Sequence, residues 1–178
     1  AFQAAQKIDP SFALAYWGEA LSFDQPLWLM EEPDRGRAAL RKLGATPVER
    51  RAKARTPREQ GYLAAAEALY GEGDTRSRHL KYSQAMAALA AAHPGDDEAQ
   101  LFYALSLLSV LPRGDQSVPQ RQTAGAMAET VFRKNPQHPG VITVFQHRRT
   151  VRRHPLERLR QLEFRGFPQQ LLREYRAA

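Results

Sequence analysis

Residues 9–21 of the chain read DPSFALAYWGEAL, a polar residue and a proline followed by an alanine-rich helical stretch. The same kind of junction returns at His93-Pro94 and at Asn135-Pro136. Pro10 and Pro94 are 84 residues apart, and Pro94 and Pro136 are 42 residues apart. The junctions therefore fit one period of about forty, with the junction expected midway between Pro10 and Pro94 missing. A recurrence of this length is typical of helical repeat arrays, in which each unit buries its apolar face against its neighbours.

The composition indicates helices throughout. Twenty-eight of the 178 residues are alanine, and other good helix formers are plentiful. No stretch alternates long enough to suggest a sheet, and no apolar run approaches the roughly 18 residues that span a bilayer. The absence of cysteine excludes disulfides and thiolate metal sites. We therefore predict an all-α, soluble chain of antiparallel helix pairs without a sheet, in either the cytoplasm or the periplasm.

Capping residues and prolines predict where the helices begin and end. Ser11 is expected to cap the first long helix, and Thr46-Pro47 and Thr56-Pro57 are both cap-plus-proline starts. Glu59, three residues after Thr56, completes a capping box. The predicted helices cover about 12–23, 33–43, 57–70, 76–92, 97–111 and 119–134.

Residues 9–21 resemble the entry repeat of a bacterial tetratricopeptide-repeat family, in which the Tyr-Trp-Gly-Glu-Ala-Leu block at 16–21 is distinctive. The helix start at 56–59 and the junctions at 93–97 and 135–140 follow in the order of that family, so the likeness covers roughly 1–147. The resemblance implies a right-handed solenoid of antiparallel helix pairs, a role in protein interaction and a longer full-length protein. The sequence departs from the family pattern at Gln146, where a small residue is expected, and the likeness ends after His147, where arginines follow.

The chain divides by charge into two predicted segments. Residues 1–147 are the tetratricopeptide-like array, and we expect it to be truncated at its N-terminus because Phe2, Ala5 and Ile8 form a helical face without a partner. Residues 148–178 hold nine arginines, no lysine and three glutamates, and so contribute +6 of the net charge of +7. This segment is either a basic tail or a native capping helix, and its composition also fits a frame error in a GC-rich gene.

The array is predicted to be a non-catalytic scaffold without a cofactor, which binds a protein or peptide of unknown identity. Aromatic side chains with a polar tip suit peptide binding on a concave face, although in a solenoid most aromatic side chains are expected to pack in the core. The candidate partner-binding residues are Tyr62, Tyr70, Tyr82 and Tyr103.

A first alternative is a metal-dependent or hydrolase-like enzyme that shares its site with missing segments. His138 and His147 invite a metal interpretation, but nine residues at 100° each place the two rings on opposite faces of one helix. A metal site would therefore need ligands from another repeat, and we predict none. The acidic runs Glu31-Glu32 and 96–98 could supply oxygen ligands, but first-turn carboxylates usually cap helices.

A second alternative is weak binding of nucleic acid or an anionic surface through the basic tail. Its densest positive cluster consists of Arg148, Arg149, Arg152 and Arg153. The array itself is almost neutral, and few aromatic residues accompany the arginines for stacking on bases. Four phosphate contacts imply weak and strongly salt-dependent binding, so a nucleic-acid partner is not expected. The oligomeric state is not predicted.

Overall fold

A computed structural model describes residues 1–25, 30–111, 118–141 and 144, and helices dominate these ranges. The predicted helical class is therefore confirmed at this level. The elements are α1 (Phe2–Ile8), α2 (Ala13–Leu21), β1 (Asp24–Gln25), β2 (Met30–Glu31), α3 (Pro33–Leu43), α4 (Pro47–Lys53), α5 (Pro57–Leu69), α6 (Thr75–Ala92), α7 (Asp97–Ser109) and α8 (Val118–Lys134).

Most of the predicted helix starts are confirmed by capping hydrogen bonds. The Thr46 and Thr56 hydroxyl oxygens accept from the amides three residues on, and Thr56 and Glu59 complete the reciprocal capping box. Asp74 and Asp96 cap α6 and α7 in the same way. These short polar side chains satisfy amide groups that a helix leaves unpaired in its first turn, which explains why the sequence marks the boundaries so well.

The start of α2 differs from the prediction. Ser11 does not cap this helix, because Phe12 occupies the N-cap position and makes no side-chain cap hydrogen bond. The Ser11 hydroxyl and amide both donate to Asp9 Oδ1, at 2.6 and 2.9 Å. These two hydrogen bonds hold Ser11 in a turn ahead of the helix. Short polar side chains often bond to nearby groups in this way instead of capping a helix.

The predicted absence of a sheet is wrong in one small place. In the α2–α3 connection, β1 and β2 form an antiparallel ladder in which Asp24 faces Glu31 and Gln25 faces Met30. Only two residues of each strand pair, too few to produce an alternating pattern in the sequence. The ladder nevertheless sets two acidic side chains opposite each other.

Four helical segments repeat the predicted period of about forty. They begin at Ala13, Pro57, Asp97 and Pro139. These starts lie 44, 40 and 42 residues apart, and the Thr56-Pro57 start replaces the junction that the sequence pattern lacks.

Each of the first three repeated helices packs against a following helix. The pairs are α2 with α3, α5 with α6 and α7 with α8. α2 also packs on α5, and α6 packs on α7, so neighbouring pairs share surfaces. One buried cluster joins α2, α3, α5, α6 and the start of α7, and a second lies between α7, α8 and residues 141 and 144.

Tyr70 fixes the contact between the first two helix pairs. Its hydroxyl donates to the Ala20 carbonyl oxygen at 2.6 Å, and its ring lies against Gly36 of α3. A Cβ at Gly36 would come within 2.2 Å of the Tyr70 ring. Arg37 Nε donates to the Tyr70 carbonyl at 2.8 Å, which holds the end of α5 on α3.

We predict that Gly36→Ala lowers the free energy of unfolding by about 1–3 kcal/mol, the usual cost of overpacking a core. The Tyr70 ring is buried and anchored at Ala20, so it cannot move aside. Gly18→Ala is the matched control, because a Cβ there would also come within 2.2 Å of an aromatic ring, that of Phe2. Phe2 is 43% exposed and can turn away, so this variant should unfold at nearly the wild-type urea concentration. Equal destabilisation by the two variants would contradict the anchoring of Tyr70.

Candidate functional site

The four tyrosines proposed to bind a partner differ in exposure. Tyr62, Tyr70 and Tyr82 are buried, with 1, 4 and 6% of their surface exposed. Burial raises the pKa of each of these three hydroxyls above its ordinary value. Tyr103, on α7, packs against the first core cluster but keeps part of its side chain exposed. Three of the rings therefore serve the core of the folded chain, while partner binding by any of the four stays a prediction.

An aromatic cluster lies where α2, α5 and α7 meet. Trp17 contacts Tyr62 and Phe102 edge-on, with ring centroids 4.7 and 5.0 Å apart. Trp17 and Phe102 are partly exposed, and Trp17 Nε1 has no hydrogen-bond partner in the part of the chain that is described. The cluster thus combines apolar rings with an indole N–H that has no acceptor.

A polar contact borders this aromatic cluster. Arg58 on α5 donates through Nε and Nη2 to the carboxylate of Asp96, the residue that caps α7. Arg58 also lies over the Tyr62 ring, 5.0 Å from its centroid, and the Tyr62 hydroxyl donates to Asp96 Oδ2 at 3.3 Å. Burial opposes ionisation of Asp96, but the Arg58, Ala99 and Tyr62 hydrogen bonds outweigh it and lower the pKa of this carboxyl.

The remaining predicted sites are described only in part. His138 is nearly buried, and its Nε2 lies 3.4 Å from Glu98 Oε1 while its Nδ1 accepts from the Gly140 amide at 3.2 Å. His147 lies outside the described residues, so the proposed pair of histidines is not tested. The arginine cluster of the tail, Arg148, Arg149, Arg152 and Arg153, also lies outside them, as do the boundaries of the 148–178 segment.

A group of potential metal ligands lies elsewhere, between the first two helix pairs. Asp24 of β1, Glu31 of β2 and His79 of α6 each offer one ligand atom, and these atoms lie within 4.8 Å of one another. His79 Nε2 is 3.5 Å from Asp24 Oδ1, too long for a good hydrogen bond. Both atoms are buried, and neither has a hydrogen-bond partner in the described structure.

Neighbouring side chains hold Glu31 in this group. Arg78 Nη2 donates to Glu31 Oε1, and the Thr75 hydroxyl donates to Glu31 Oε2 at 2.9 Å. Arg78 is itself fixed by the Leu69 and Gly73 carbonyls. Burial disfavours the charged imidazolium of His79, but the Asp24 and Glu31 carboxylates outweigh it and raise the pKa of His79.

Sequence reasoning missed this group because its members are far apart in the chain. Glu31 was predicted as a possible oxygen ligand, whereas Asp24 and His79 belong to other segments of the chain and carry no local metal pattern. The expectation that any metal site needs ligands from another repeat is consistent with this group, since His79 lies on α6. The seven-residue spacing of Asp24 and Glu31 is common in proteins and does not by itself predict a metal site.

Comparison with protein-family models, with curated proteins and with solved structures found no match to this chain. The resemblance to tetratricopeptide repeats therefore stays a prediction from the residues at 9–21, 56–59, 93–97 and 135–140. Among the described residues, no helix has both the length and the apolar character needed to cross a membrane.

We predict that Asp96→Asn lowers the free energy of unfolding at pH 7 by about 1 kcal/mol, between the values usual for exposed ion pairs and for hydrogen bonds to charged groups. Asparagine caps helices as well as aspartate does, so the variant removes mainly the charge facing Arg58. The pKa of Asp96 is lowered by folding from its ordinary 3.8. The charge therefore stabilises the fold above about pH 4, and this contribution is lost as the pH falls through the lower, folded value.

Urea unfolding at pH 7 and at pH 3 tests this expectation, since the gap between the wild type and Asp96→Asn should narrow below pH 4. Asp74→Asn is the matched control, because Asp74 caps α6 through Ser77 but lies exposed, with its pKa lowered chiefly by the Ser77 amide. At pH 7, Asp74→Asn should lower the free energy of unfolding by less than Asp96→Asn does. A gap for Asp96→Asn that is the same at pH 3 as at pH 7 would contradict the role of the carboxylate charge.

Proposed function

We propose that the chain is a tetratricopeptide-like solenoid that acts as a scaffold for protein interaction and carries no catalysis of its own. The observation that carries the proposal is the repetition of the helical starts at 13, 57, 97 and 139 together with the packing of each helix on the next. A helical pair of this kind cannot bury its apolar face alone, and stacking creates an extended surface that partners can use.

The helices α2, α5 and α7 supply the inner surface in this proposal. They approach one another through Trp17, Tyr62 and Phe102, whereas α3, α6 and α8 each present a polar face to solvent. Leu14, Trp17 and Leu21 recur at i, i+3 and i+7 along α2 and are all partly exposed. A row of partly exposed apolar side chains suits a peptide segment that lays apolar residues against it.

The partner that this surface favours is a protein segment with apolar anchors and a hydrogen-bond acceptor. Trp17 Nε1 is a buried donor without an acceptor in the described ranges, and such a donor costs free energy until it is paired. A backbone carbonyl of a bound segment would supply the missing acceptor once the side chains that cover Nε1 move aside. Tyr103 lies on the neighbouring helix and adds an aromatic ring with a polar tip.

The two alternatives rank below the scaffold. Binding of nucleic acid or an anionic surface depends on the arginines of the tail, which the described structure does not include. A metal-dependent enzyme gains one observation in its favour, the Asp24, Glu31 and His79 group, but a cation there does not require catalysis.

We predict that a photo-crosslinking amino acid at Tyr103 captures one predominant protein partner in cells that express the intact chain. A benzoyl-phenylalanine there keeps the aromatic character of the residue and so preserves its packing against the core. Position 84 is the control, because Gln84 lies exposed on the outer helix α6. Mass spectrometry of the adducts should identify a partner at position 103 that position 84 does not capture. The same adducts from both positions, or none at position 103, would contradict the proposed binding surface.

A further inference from the structure

Asp24, Glu31 and His79 form a buried group whose members belong to three different elements. The β1–β2 ladder places Asp24 directly opposite Glu31, and α6 brings His79 against them. Only 5% of the Asp24 side chain and 7% of the His79 side chain are exposed. Residues so distant in the chain converge here because the α2–α3 connection packs on the second helix pair.

The two facing atoms of this group lack partners. Asp24 Oδ1 and His79 Nε2 are buried and make no hydrogen bond to the described residues, although they lie 3.5 Å apart, within ion-pair distance when His79 is protonated. A buried polar atom without a hydrogen bond costs roughly 1–3 kcal/mol, and more for a charged group. A cation bound between the two atoms would give both of them a partner.

The separation fits a metal ion better than a direct hydrogen bond. Ligands about 2.0–2.1 Å from a tetrahedral zinc ion lie roughly 3.3–3.4 Å from one another. The 3.5 Å between His79 Nε2 and Asp24 Oδ1 is close to this ligand–ligand distance. Glu31 offers an oxygen within 4.8 Å of both atoms. One imidazole and two carboxylates are ligands that suit Zn²⁺ and neighbouring transition metals, since Ca²⁺ and Mg²⁺ prefer oxygen alone.

The surrounding residues can support such an ion. Arg78 and Thr75 donate to the two oxygens of Glu31, an arrangement that orients a ligating carboxylate from behind. A carboxylate has about four lone-pair sites, so both hydrogen bonds can persist when one oxygen also binds a metal. With neutral His79, the two carboxylates and Arg78 sum to −1, a charge that attracts a cation into the site.

We propose that Asp24, Glu31 and His79 bind one divalent cation of the Zn²⁺ class, with water in the fourth position. The ion would tie the α2–α3 connection to α6 and so lock the first helix pair onto the second. This inference does not depend on the proposed scaffold function, because it concerns the junction of the two pairs and not the surface that carries Trp17 and Tyr103.

The test uses the full chain after chelation and dialysis. Calorimetric titration with Zn²⁺ should give one ion per chain, and the melting temperature should rise with Zn²⁺ concentration, since an ion that binds the folded state stabilises it. Co²⁺ should produce the visible absorption bands of a tetrahedral nitrogen–oxygen site. Asp24→Asn and His79→Gln should abolish all three signals. Thr75→Val should weaken Zn²⁺ binding about 10–100-fold, because it removes the hydroxyl that donates to Glu31 Oε2.

His138→Gln is the matched control, because His138 is another nearly buried histidine beside a carboxylate and should leave binding unchanged. Circular dichroism checks that each variant folds. Should Asp24→Asn or His79→Gln fail to fold, X-ray absorption of the zinc-loaded wild type replaces them and should show one imidazole and otherwise oxygen ligands.

Three results would overturn the proposal. The first is a folded wild type that takes up no stoichiometric ion, in which case Asp24 and His79 form an ion pair. The second is loss of binding in His138→Gln with retention in His79→Gln, which would place the site at the other histidine. The third is an absorption spectrum without an imidazole ligand.

Discussion

The hydrogen bond from the Tyr70 hydroxyl to the Ala20 carbonyl is the constraint on which the first half of the structure depends. It joins residues 50 positions apart, at the end of α5 and in the last turn of α2. The Ala20 carbonyl also accepts from the Phe23 amide at 3.0 Å, so the tyrosine uses the second lone pair of this oxygen and satisfies its own buried hydroxyl. Because the same ring also lies on Gly36 of α3, three helices are fixed relative to one side chain. The α2–α3 connection is thereby held over α6, where Asp24 and Glu31 meet His79.

Ion pairs in which at least one partner is buried reinforce the junctions between the elements. Arg50 of α4 pairs with Glu67 of α5 at 2.8 Å, and Glu19 of α2 accepts from Lys42 of α3. Pairs of this kind contribute little net stability because both charges lose water, but loss of one partner leaves an unpaired buried charge. Only one relative placement of the elements satisfies them, so they define the packing more sharply than the small, smooth alanine surfaces could do alone.

The helix boundaries were predictable because they depend on local chemistry. A threonine or aspartate caps the next turn wherever it stands, and a proline at the first helical position needs no amide partner, as at Pro47 and Pro57. The exception at Ser11 is instructive, because Asp9 competed for the same hydroxyl. The repeat period was likewise predictable, although only the structure showed that the predicted helix start at Pro57 takes the place of the missing junction.

The candidate sites were less predictable because they depend on contacts between distant residues. Periodicity cannot tell a tyrosine that faces a groove from one that faces a neighbouring helix, and Tyr62, Tyr70 and Tyr82 all proved to be buried. The two-residue ladder is too short to leave a pattern, yet it determines that Asp24 lies opposite Glu31. His79 lies beside them only because α6 packs there, and no local sequence pattern predicts that packing.

The helix α1 is weakly attached to the rest of the described fold. This seven-residue helix has no buried residue, and Ile8 is 86% exposed. A helix of that length is not stable alone, so it persists through the Phe2 ring on Gly18 and the hydrogen bonds from Gln3 and Gln6 to the Glu19 carboxylate. Local opening free energies in proteins extend from about zero up to the global value, and α1 belongs at the low end of that range. Its amide hydrogens should therefore exchange with solvent long before those of α5, and each opening admits water to one side of a carboxylate that Lys42 still holds.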